Sequence, residues 1–298
     1  MKEQDGTNLI ERVITHDNLW KALQKVKQNK GAPGIDGITV DELEDHMKKY
    51  WSPLQRKLKD GTYKPQPVKR VAIPKADGSK RYLGIPCALD RVVQQAILQV
   101  IDPIIDPHFS KASYGFRKGR SAHQAIKRAQ AYYEEGYQTI VDCDLKSYFD
   151  TIHHQRLHAY VGYFIKDQMV LKLIWKFLRS GILDKDIYIE TTQGAPQGGP
   201  LSPILANVYL NQLDRELEKR GHRFIRYADD FIIFVKSPRA GERVMESITK
   251  FVEGKLQLTI NQKKSEVRDA RKATFLGFHV HKSMGKWDAD PASRQNKN

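Results

Sequence analysis

Asp229 and Asp230 stand side by side between two runs rich in aromatic and β-branched residues, 222–227 and 231–235. Such runs read as strands, and the short break between them reads as the tip of a hairpin. An acidic pair at a tight turn repels itself unless a cation is supplied. The cation suited to an all-oxygen site is Mg²⁺, which takes one or two carboxylates and fills its shell with phosphate and water. Alone, the pair would equally suit a solvated Asp-rich turn; the rest of the chain argues against that.

A second acidic segment supplies the missing partner. Period-two alternation along a strand at 137–145 puts Ile140, Asp142 and Asp144 on one face. A carboxylate from that strand, joining Asp229 and Asp230, would complete a site for two divalent metals about 3.5–4 Å apart, the machinery of nucleotidyl transfer. Spacing alone leaves Asp142, Asp144 and Asp150 as candidates for the third position.

Charge points to a polyanionic partner. Fifty Lys and Arg against 35 Asp and Glu give 298 residues a net charge of +15. The excess is spread over stretches such as 64–81, 117–128 and 263–271. A distributed basic surface suits a long nucleic acid, whose binding is driven by counterion release. Cys87 and Cys143 have no partner at Cys-x-x-Cys spacing, which argues against a zinc site or disulfide framework and fits a reducing compartment. The first residues lack the apolar run of a signal peptide, and no stretch approaches the roughly 18 apolar residues of a membrane span. A soluble protein of the cytoplasm, with no membrane partner, is expected.

Leu19, Leu23 and Val26 form one stripe of a helix over residues 18–29, followed by the loop Gly31-Ala32-Pro33-Gly34-Ile35-Asp36-Gly37. Thr39 and Glu42 make a capping box for a basic helix that stops near Gly61. Pro65-Gln66-Pro67 precedes a strand at 68–73, and Asp77-Gly78 turns it into a second strand at 81–85. That hairpin carries Lys69, Arg70, Lys75, Lys80 and Arg81, a basic ribbon. Leu89, Val92, Val93, Ala96, Ile97, Val100 and Ile101 mark a buried helix face, with Pro103 and Pro107 expected to end it. Ser121 caps a helix through Tyr133 that Gly136 stops. Further helices are predicted at 168–178, 202–220 and 241–255, strands at 187–190 and 256–260, and a hairpin at 275–280. Helices interrupt the strands without regular β-α-β alternation, so the prediction is an α+β fold whose sheet is covered on one side.

The segment Asp144-Leu145-Lys146-Ser147-Tyr148-Phe149-Asp150 resembles the first catalytic motif of reverse transcriptases, and Tyr227-Ala228-Asp229-Asp230 resembles the second. Pro196-Gln197-Gly198-Gly199-Pro200-Leu201-Ser202-Pro203 lies between them, where that family keeps its Gln-Gly motif. The loop Gly31 to Gly37, Leu83-Gly84-Ile85-Pro86 and Tyr114-Gly115-Phe116-Arg117 more specifically resemble the reverse transcriptase/maturase proteins encoded by bacterial group II introns. The similarity runs over about residues 15–282, in the family's order.

The resemblance implies a right-hand polymerase with fingers at 1–95 and 152–190, palm at 96–151 and 191–282, and a polar tail at 283–298. It implies an antiparallel palm sheet backed by helices, with the family's helical thumb absent. Asp144, Asp229 and Asp230 become the acidic cluster, holding two Mg²⁺ ions for which Mn²⁺ is an acceptable substitute. Asp144 and Asp229 bind most directly, and Leu145 contributes its backbone carbonyl. For the dNTP, Lys75 and Arg81 suit the triphosphate, Phe149 lies beneath the sugar as a gate against ribose, and Gln197 and Gly198 lie against the nascent pair. Lys264, or equally Lys263, faces the leaving pyrophosphate. Phe275-Leu276-Gly277 resembles the hairpin that grips the primer.

The implied activity is RNA-templated DNA synthesis for a mobile group II intron. Its partners are an RNA template with a DNA primer, dNTPs and the intron RNA, with a homo-oligomer possible. Lys25, Lys27, Lys30, Lys69, Arg70, Arg117 and Arg120 are the candidate RNA contacts. The competing reading is an RNA-binding splicing cofactor with little polymerase activity; RNA-templated RNA synthesis is disfavoured by Phe149. His153-His154 invites a metal reading, but the pair fits a polar strand-to-helix turn better.

Overall fold

The computed structural model describes residues 7–74, 78, 80–195 and 198–280, the Arg81 side chain excepted. Lys75, Asp77, Gln197 and the polar tail lie outside the described residues.

In chain order the elements are α1 (Leu9–Val13), α2 (His16–Gln28), α3 (Leu43–Lys59), β1 (Val68–Pro74), β2 (Lys80–Ile85) and α4 (Ala88–Ile105). Then come α5 (Ala122–Glu134), β3 (Thr139–Cys143), α6 (Tyr148–Thr151), α7 (His154–Phe164), α8 (Gln168–Leu178), β4 (Ile182–Asp184), β5 (Ile187–Ile189) and α9 (Ser202–Lys219). The last are β6 (Arg223–Tyr227), β7 (Asp230–Val235), α10 (Pro238–Phe251), β8 (Glu266–Asp269), β9 (Thr274–Phe275) and β10 (Phe278–His279). They divide into two compact units, one of residues 1–108 and 149–209, the other of residues 109–148 and 210–298.

In the first unit α4 packs on α1 and α2. Leu19, Ala22, Leu23 and Val26 of α2 are buried, as are Val93, Ile97, Ile101 and Ile105 of α4. Local chemistry sets the helix ends. The Thr15 hydroxyl accepts from Asn18 N at the start of α2, and the Asp167 carboxylate accepts from Met169 N and Val170 N at the start of α8. Asp167 also accepts from Ile10 N at 2.7 Å, tying α8 to α1. The Thr39–Glu42 bonds form, with the Glu42 carboxylate accepting from Thr39 N and the Thr39 hydroxyl from Glu42 N, but they close a turn ahead of the helix rather than cap it: α3 starts at Leu43, with Glu42 at its N-cap and no side-chain cap bond. β1 pairs antiparallel with β2 from Lys69↔Ile85 to Pro74↔Lys80, and β4 joins β1 in parallel, giving the order β2-β1-β4-β5. Pro103 does not end α4, contrary to its usual effect. It sits in the last turn, where the buried stripe continues through Ile104 and Ile105 and offsets one missing hydrogen bond.

The second unit is built on the antiparallel sheet β6-β7-β3-β8. Ile140, Ile225, Ile232 and Phe234 share one face and pack with Ala125, Ile126, Ala129 and Tyr132 of α5. That helix opens with a reciprocal Ser121–Gln124 capping box. On the other face α10 approaches so closely that a Cβ on Gly241 would lie 2.5 Å from Val267 Cγ1. The sheet is therefore covered on both faces, not one as expected. The unbroken run Phe231-Ile232-Ile233-Phe234-Val235, buried throughout, is the sequence mark of a strand buried on both sides.

Two other expectations change here. α10 begins at Pro238, because Ser237 caps it and proline suits a first helical position. Residues 256–260 are not a strand: Leu256 closes a π-helical turn, Gln257 has φ 55°, and only the bridge Leu145↔Ile260 remains. The sheet edge is supplied instead by β8, whose Glu-Val-Arg-Asp sequence carries too little alternation to announce a strand.

Asp90 in α4 is buried, accepting from the Tyr63 hydroxyl at 2.7 Å and Gln66 N at 3.0 Å. Burial pushes its pKa up to about 6 from 3.8, against the pull of those two donors. Between about pH 4 and 6 the folded chain therefore keeps a proton that the unfolded chain has lost. Stability should fall by roughly 3 kcal/mol as pH rises through this window, then level off. Chemical denaturation across pH should show that slope, and Asp90→Asn, which cannot ionise, should flatten it.

Candidate active site

Strands β6 and β7 close on the pair Tyr227↔Asp230, leaving Ala228 and Asp229 as the connection. Ala228 has φ 58°, the left-handed region that costs an L residue about 1–2 kcal/mol. Several contacts hold it there. Arg226 Nη1 donates to the Ala228 carbonyl at 2.8 Å, while Nε and Nη2 donate to the two oxygens of Asp214 at 2.7 and 2.6 Å. Both side chains of that ion pair are 0 % exposed. Burial works against the guanidinium's charge, but Asp214 outweighs it and the Arg226 pKa rises. Outside β6 runs residue 113, bridged in parallel to Arg226. Arg226 N donates to the Ala112 carbonyl and Tyr114 N to the Arg226 carbonyl, both at 2.9 Å. Gly115 then lies flush against the turn: a Cβ there would meet Ala228 N at 2.3 Å.

The acidic strand arrives from the other side of β7. β3 pairs with β7 down to Cys143↔Phe231, so the next residue, Asp144, lies across from Asp230 in the continuing register. The segment after Ile260 fixes it. Asn261 Nδ2 donates to Asp144 Oδ2 at 2.8 Å, Asn261 N to the Asp144 carbonyl at 2.8 Å, and Asp144 N to Ser265 Oγ at 3.0 Å. The bonds flanking the Leu145↔Ile260 bridge use the Asp144 carbonyl and Lys146 N, so Leu145's own carbonyl takes no part in that bridge. Asp142 is committed elsewhere, in an ion pair with Arg268. Burial, with Glu266 and Asp144 nearby, raises its pKa against the pull of Arg268. Asp150 lies beyond, exposed on α6. The register thus brings Asp144, not Asp142, toward the turn that carries Asp229 and Asp230.

Among the described residues, no three His, Cys, Asp or Glu side chains converge tightly enough to cage a metal by themselves. Oxygen-only Mg²⁺ sites in phosphoryl-transfer enzymes use one or two carboxylates and leave the other positions to substrate phosphates and water. Carboxylates at neighbouring strand ends, one of them oriented by an amide, suit that pattern.

Of the other expected substrate residues, Arg81, Phe149 and Gly198 belong to the first unit. Gly198 has φ 128°, and a Cβ there would lie 2.4 Å from the Gly84 carbonyl, so Gly198 lies directly against the Leu83-Gly84-Ile85-Pro86 segment. Ala195 N donates to the carbonyl of Phe149, which is half-buried, and Gly194 N donates to the Ile152 carbonyl, both at 2.7 Å. His154 Nε2 meets the Gly194 carbonyl at 2.6 Å, and His153 caps α7. Burial lowers the His154 pKa. The two histidines thus serve the loop and the cap. Arg81 lies on β2. Lys263 and Lys264, in the second unit, are both exposed in the turn after Asn261, which leaves no choice between them.

A model of the family described as reverse transcriptase (RNA-dependent DNA polymerase) matches residues 73–280. The chain belongs to that family. Protein YkfC of Escherichia coli (strain K12) is 32% identical to it, the alignment covering 93% of this chain and 84% of YkfC. Group II intron-encoded protein LtrA of Lactococcus lactis subsp. cremoris is 31% identical over 92% of this chain, which spans 56% of LtrA's length. These relatives place the domain with the group II intron-encoded reverse transcriptases and maturases. Among solved structures, a "Partial Cas6-RT-Cas1--Cas2 complex" has a TM-score of 0.52 and 26% identity, covering 82% of this chain and 42% of that one. An apo telomerase from Candida tropicalis has a TM-score of 0.57 at 14% identity, covering 80% of this chain and 58% of that one, and shares the fold.

The cationic residues of this reverse transcriptase domain divide into two groups. Lys25, Lys30 and Lys69 are exposed. Others are turned onto the protein: Lys27 pairs with Glu44 at 2.6 Å, and Arg70 pairs with Asp184 and stacks on Tyr82. Arg117 donates to the Ser110 and Ser113 carbonyls, and Arg120 to the Lys111 carbonyl. Spacing gave no hint of Asn261 or Ser265, which lie in the polar stretch after the expected strand at 256–260. Arg226 did carry a signal, a charge inside an apolar strand that demands a buried partner.

Asn261→Ala removes the amide that orients Asp144. On the expectation that Asp144 holds metal, whose ligands' partners typically contribute 10–100-fold to affinity or activity, nucleotide incorporation should fall by roughly that factor, with melting little changed. Primer extension and calorimetry on the same preparation check it.

Proposed function

We propose that this domain extends a DNA primer on an RNA template, the primer 3′-hydroxyl attacking the α-phosphate of a dNTP. The observation that carries this reading is the β3–β7 register, which sets Asp144 across from Asp230 beside the Asp229 turn. Asp144, Asp229 and the Leu145 carbonyl would hold two Mg²⁺ ions, with Mn²⁺ able to replace them and Asp230 auxiliary. When bound, the ions supply charge neutralisation and a lowered pKa at the attacking hydroxyl. Asp144 keeps its carboxylate oriented through Asn261. Lys75 and Arg81 contact the triphosphate, Lys264 or Lys263 the leaving pyrophosphate, and Gln197-Gly198 the nascent pair. Phe149 lies under the sugar and excludes a 2′-hydroxyl.

The two four-stranded sheets, one in each unit, support a fingers and palm division, with fingers at 1–95 and 152–190 and palm at 96–151 and 191–282. Exposed Lys25, Lys30 and Lys69 suit an intron RNA backbone, and similarity to LtrA supports a role in splicing and retrohoming within a bacterial cytoplasm. Among the described residues no helix is long and apolar enough to cross a membrane.

Primer extension on an RNA template with Mg²⁺ tests the reading. Asp229→Ala should lower extension by at least about 10²–10³-fold, the scale of losing one transition-state contact, while RNA affinity holds. Undiminished extension would remove Asp229 from the site. Phe149→Ala should relax the preference for dNTPs over NTPs by on the order of 10–100-fold, and unchanged discrimination would assign the gate elsewhere.

A further inference from the structure

Arg226 is the largest fully buried side chain of the described chain, and it sits one residue before the motif that carries Asp229. Its backbone N–H and carbonyl are both used by the 112–114 segment. Its guanidinium spends two donors on Asp214 and a third on the Ala228 carbonyl. Asp214 comes from the apolar side of α9, among buried Leu210, Leu213 and Leu217.

Stability alone does not explain such a pair. Buried ion pairs replaced by apolar residues of similar volume often leave a protein as stable as before, or more so. What two apolar side chains cannot do is hold a carbonyl. The Ala228 carbonyl belongs to the peptide that leads into Asp229, and Ala228 is in a backbone conformation that L residues avoid. Released from Nη1, the turn is free to relax toward a commoner geometry and carry the Asp229 carboxylate with it. The guanidinium's charge matters too. Without Asp214, a buried cation would stand beside the turn and compete for Asp229 with any metal ion.

We infer that Arg226 and Asp214 are a positioning pair for the catalytic turn: Asp214 orients and neutralises the guanidinium, and the guanidinium fixes the Ala228 carbonyl so that Asp229 is presented for metal binding. The pair touches neither substrate nor metal. The inference rests on the reading of Asp229 as a metal-holding carboxylate, and its test separates the two.

The full chain would be compared with Arg226→Lys, Asp214→Asn and the double replacement Arg226→Met with Asp214→Leu. The double variant should melt at or above the wild-type temperature. Its kcat should fall on the order of a hundredfold, the cost of roughly 1 Å of misplacement. The dNTP KM should stay within about threefold, because ground-state contacts are kept, and the half-saturating Mg²⁺ concentration should rise. Asp214→Asn, which leaves the guanidinium unneutralised, should raise the Mg²⁺ requirement most. A folded double variant that extends primers within about twofold of wild type would overturn the inference. Should the double variant fail to fold, Arg226→Lys keeps charge and cover but not the three-way fork, and the same kinetic comparison applies to it.

Amide hydrogen exchange over residues 227–230 reads the pair without any activity. Exchange should quicken there in Arg226→Lys and stay unchanged in α5 and β8; equal protection in both proteins would overturn the inference. A wild-type chain that extends nothing would count against the polymerase reading, while the exchange result would still decide the role of the pair.

Discussion

The pairing register between β3 and β7 is the constraint on which the candidate site depends. Because Cys143 lies opposite Phe231, Asp144 emerges across from Asp230, and two acidic segments far apart in the chain meet at one end of a sheet. Side chains alternate faces along a strand, so a slip of one residue would send Asp144 to the opposite face and turn the apolar faces of β7 around. The register is pinned by burial. All five residues 231–235 are buried, with α5 on one face of the sheet and α10 on the other, so a shifted pairing would drive Asp142 and Arg226 into different surroundings.

Around that register the polar groups have distinct tasks. Asp142 answers Arg268 at the β8 edge, Asp214 answers Arg226 inside the unit, and Asn261 steadies Asp144. Each of these three carboxylates has an opposite charge or a donor beside it, as a low local dielectric requires. The first unit shows the same economy by backbone means. Gly198 permits direct contact with the Gly84 carbonyl, and the bonds from Gly194 and Ala195 to Ile152 and Phe149 tie residues 194–195 to α6 and the residue after it.

Much of the fold was legible where local chemistry is strong. The helix at 168–178, the Ser121 cap, the basic hairpin and the Leu276-Gly277 turn follow from periodicity, capping and turn residues. In that last turn both residues have positive φ, at 54° and 81°, as two-residue hairpins demand. Legibility failed where tertiary contacts override local signals. Pro103 continues its helix because burial continues past it. Residues 256–260 look like a strand but find only one bridge, while Glu266–Asp269 form an edge strand that polar composition conceals.

For the site, the sequence by itself determined the chemistry available: an acidic pair at a hairpin tip, a third carboxylate at the end of a strand and a basic surface. Motif resemblance then ordered them into a reverse transcriptase. The choice among Asp142, Asp144 and Asp150 was different. Alternation along one strand puts Asp142 and Asp144 on the same face, so only the partner strand's register and the Arg268 ion pair separate them. The same holds for Arg226 and Asp214, twelve residues apart. Their residue types signal that each needs a partner, but the choice of partner is made where the chain folds back to bring residue 214 beside residue 226. That proximity is a tertiary fact, and no short stretch of sequence contains it.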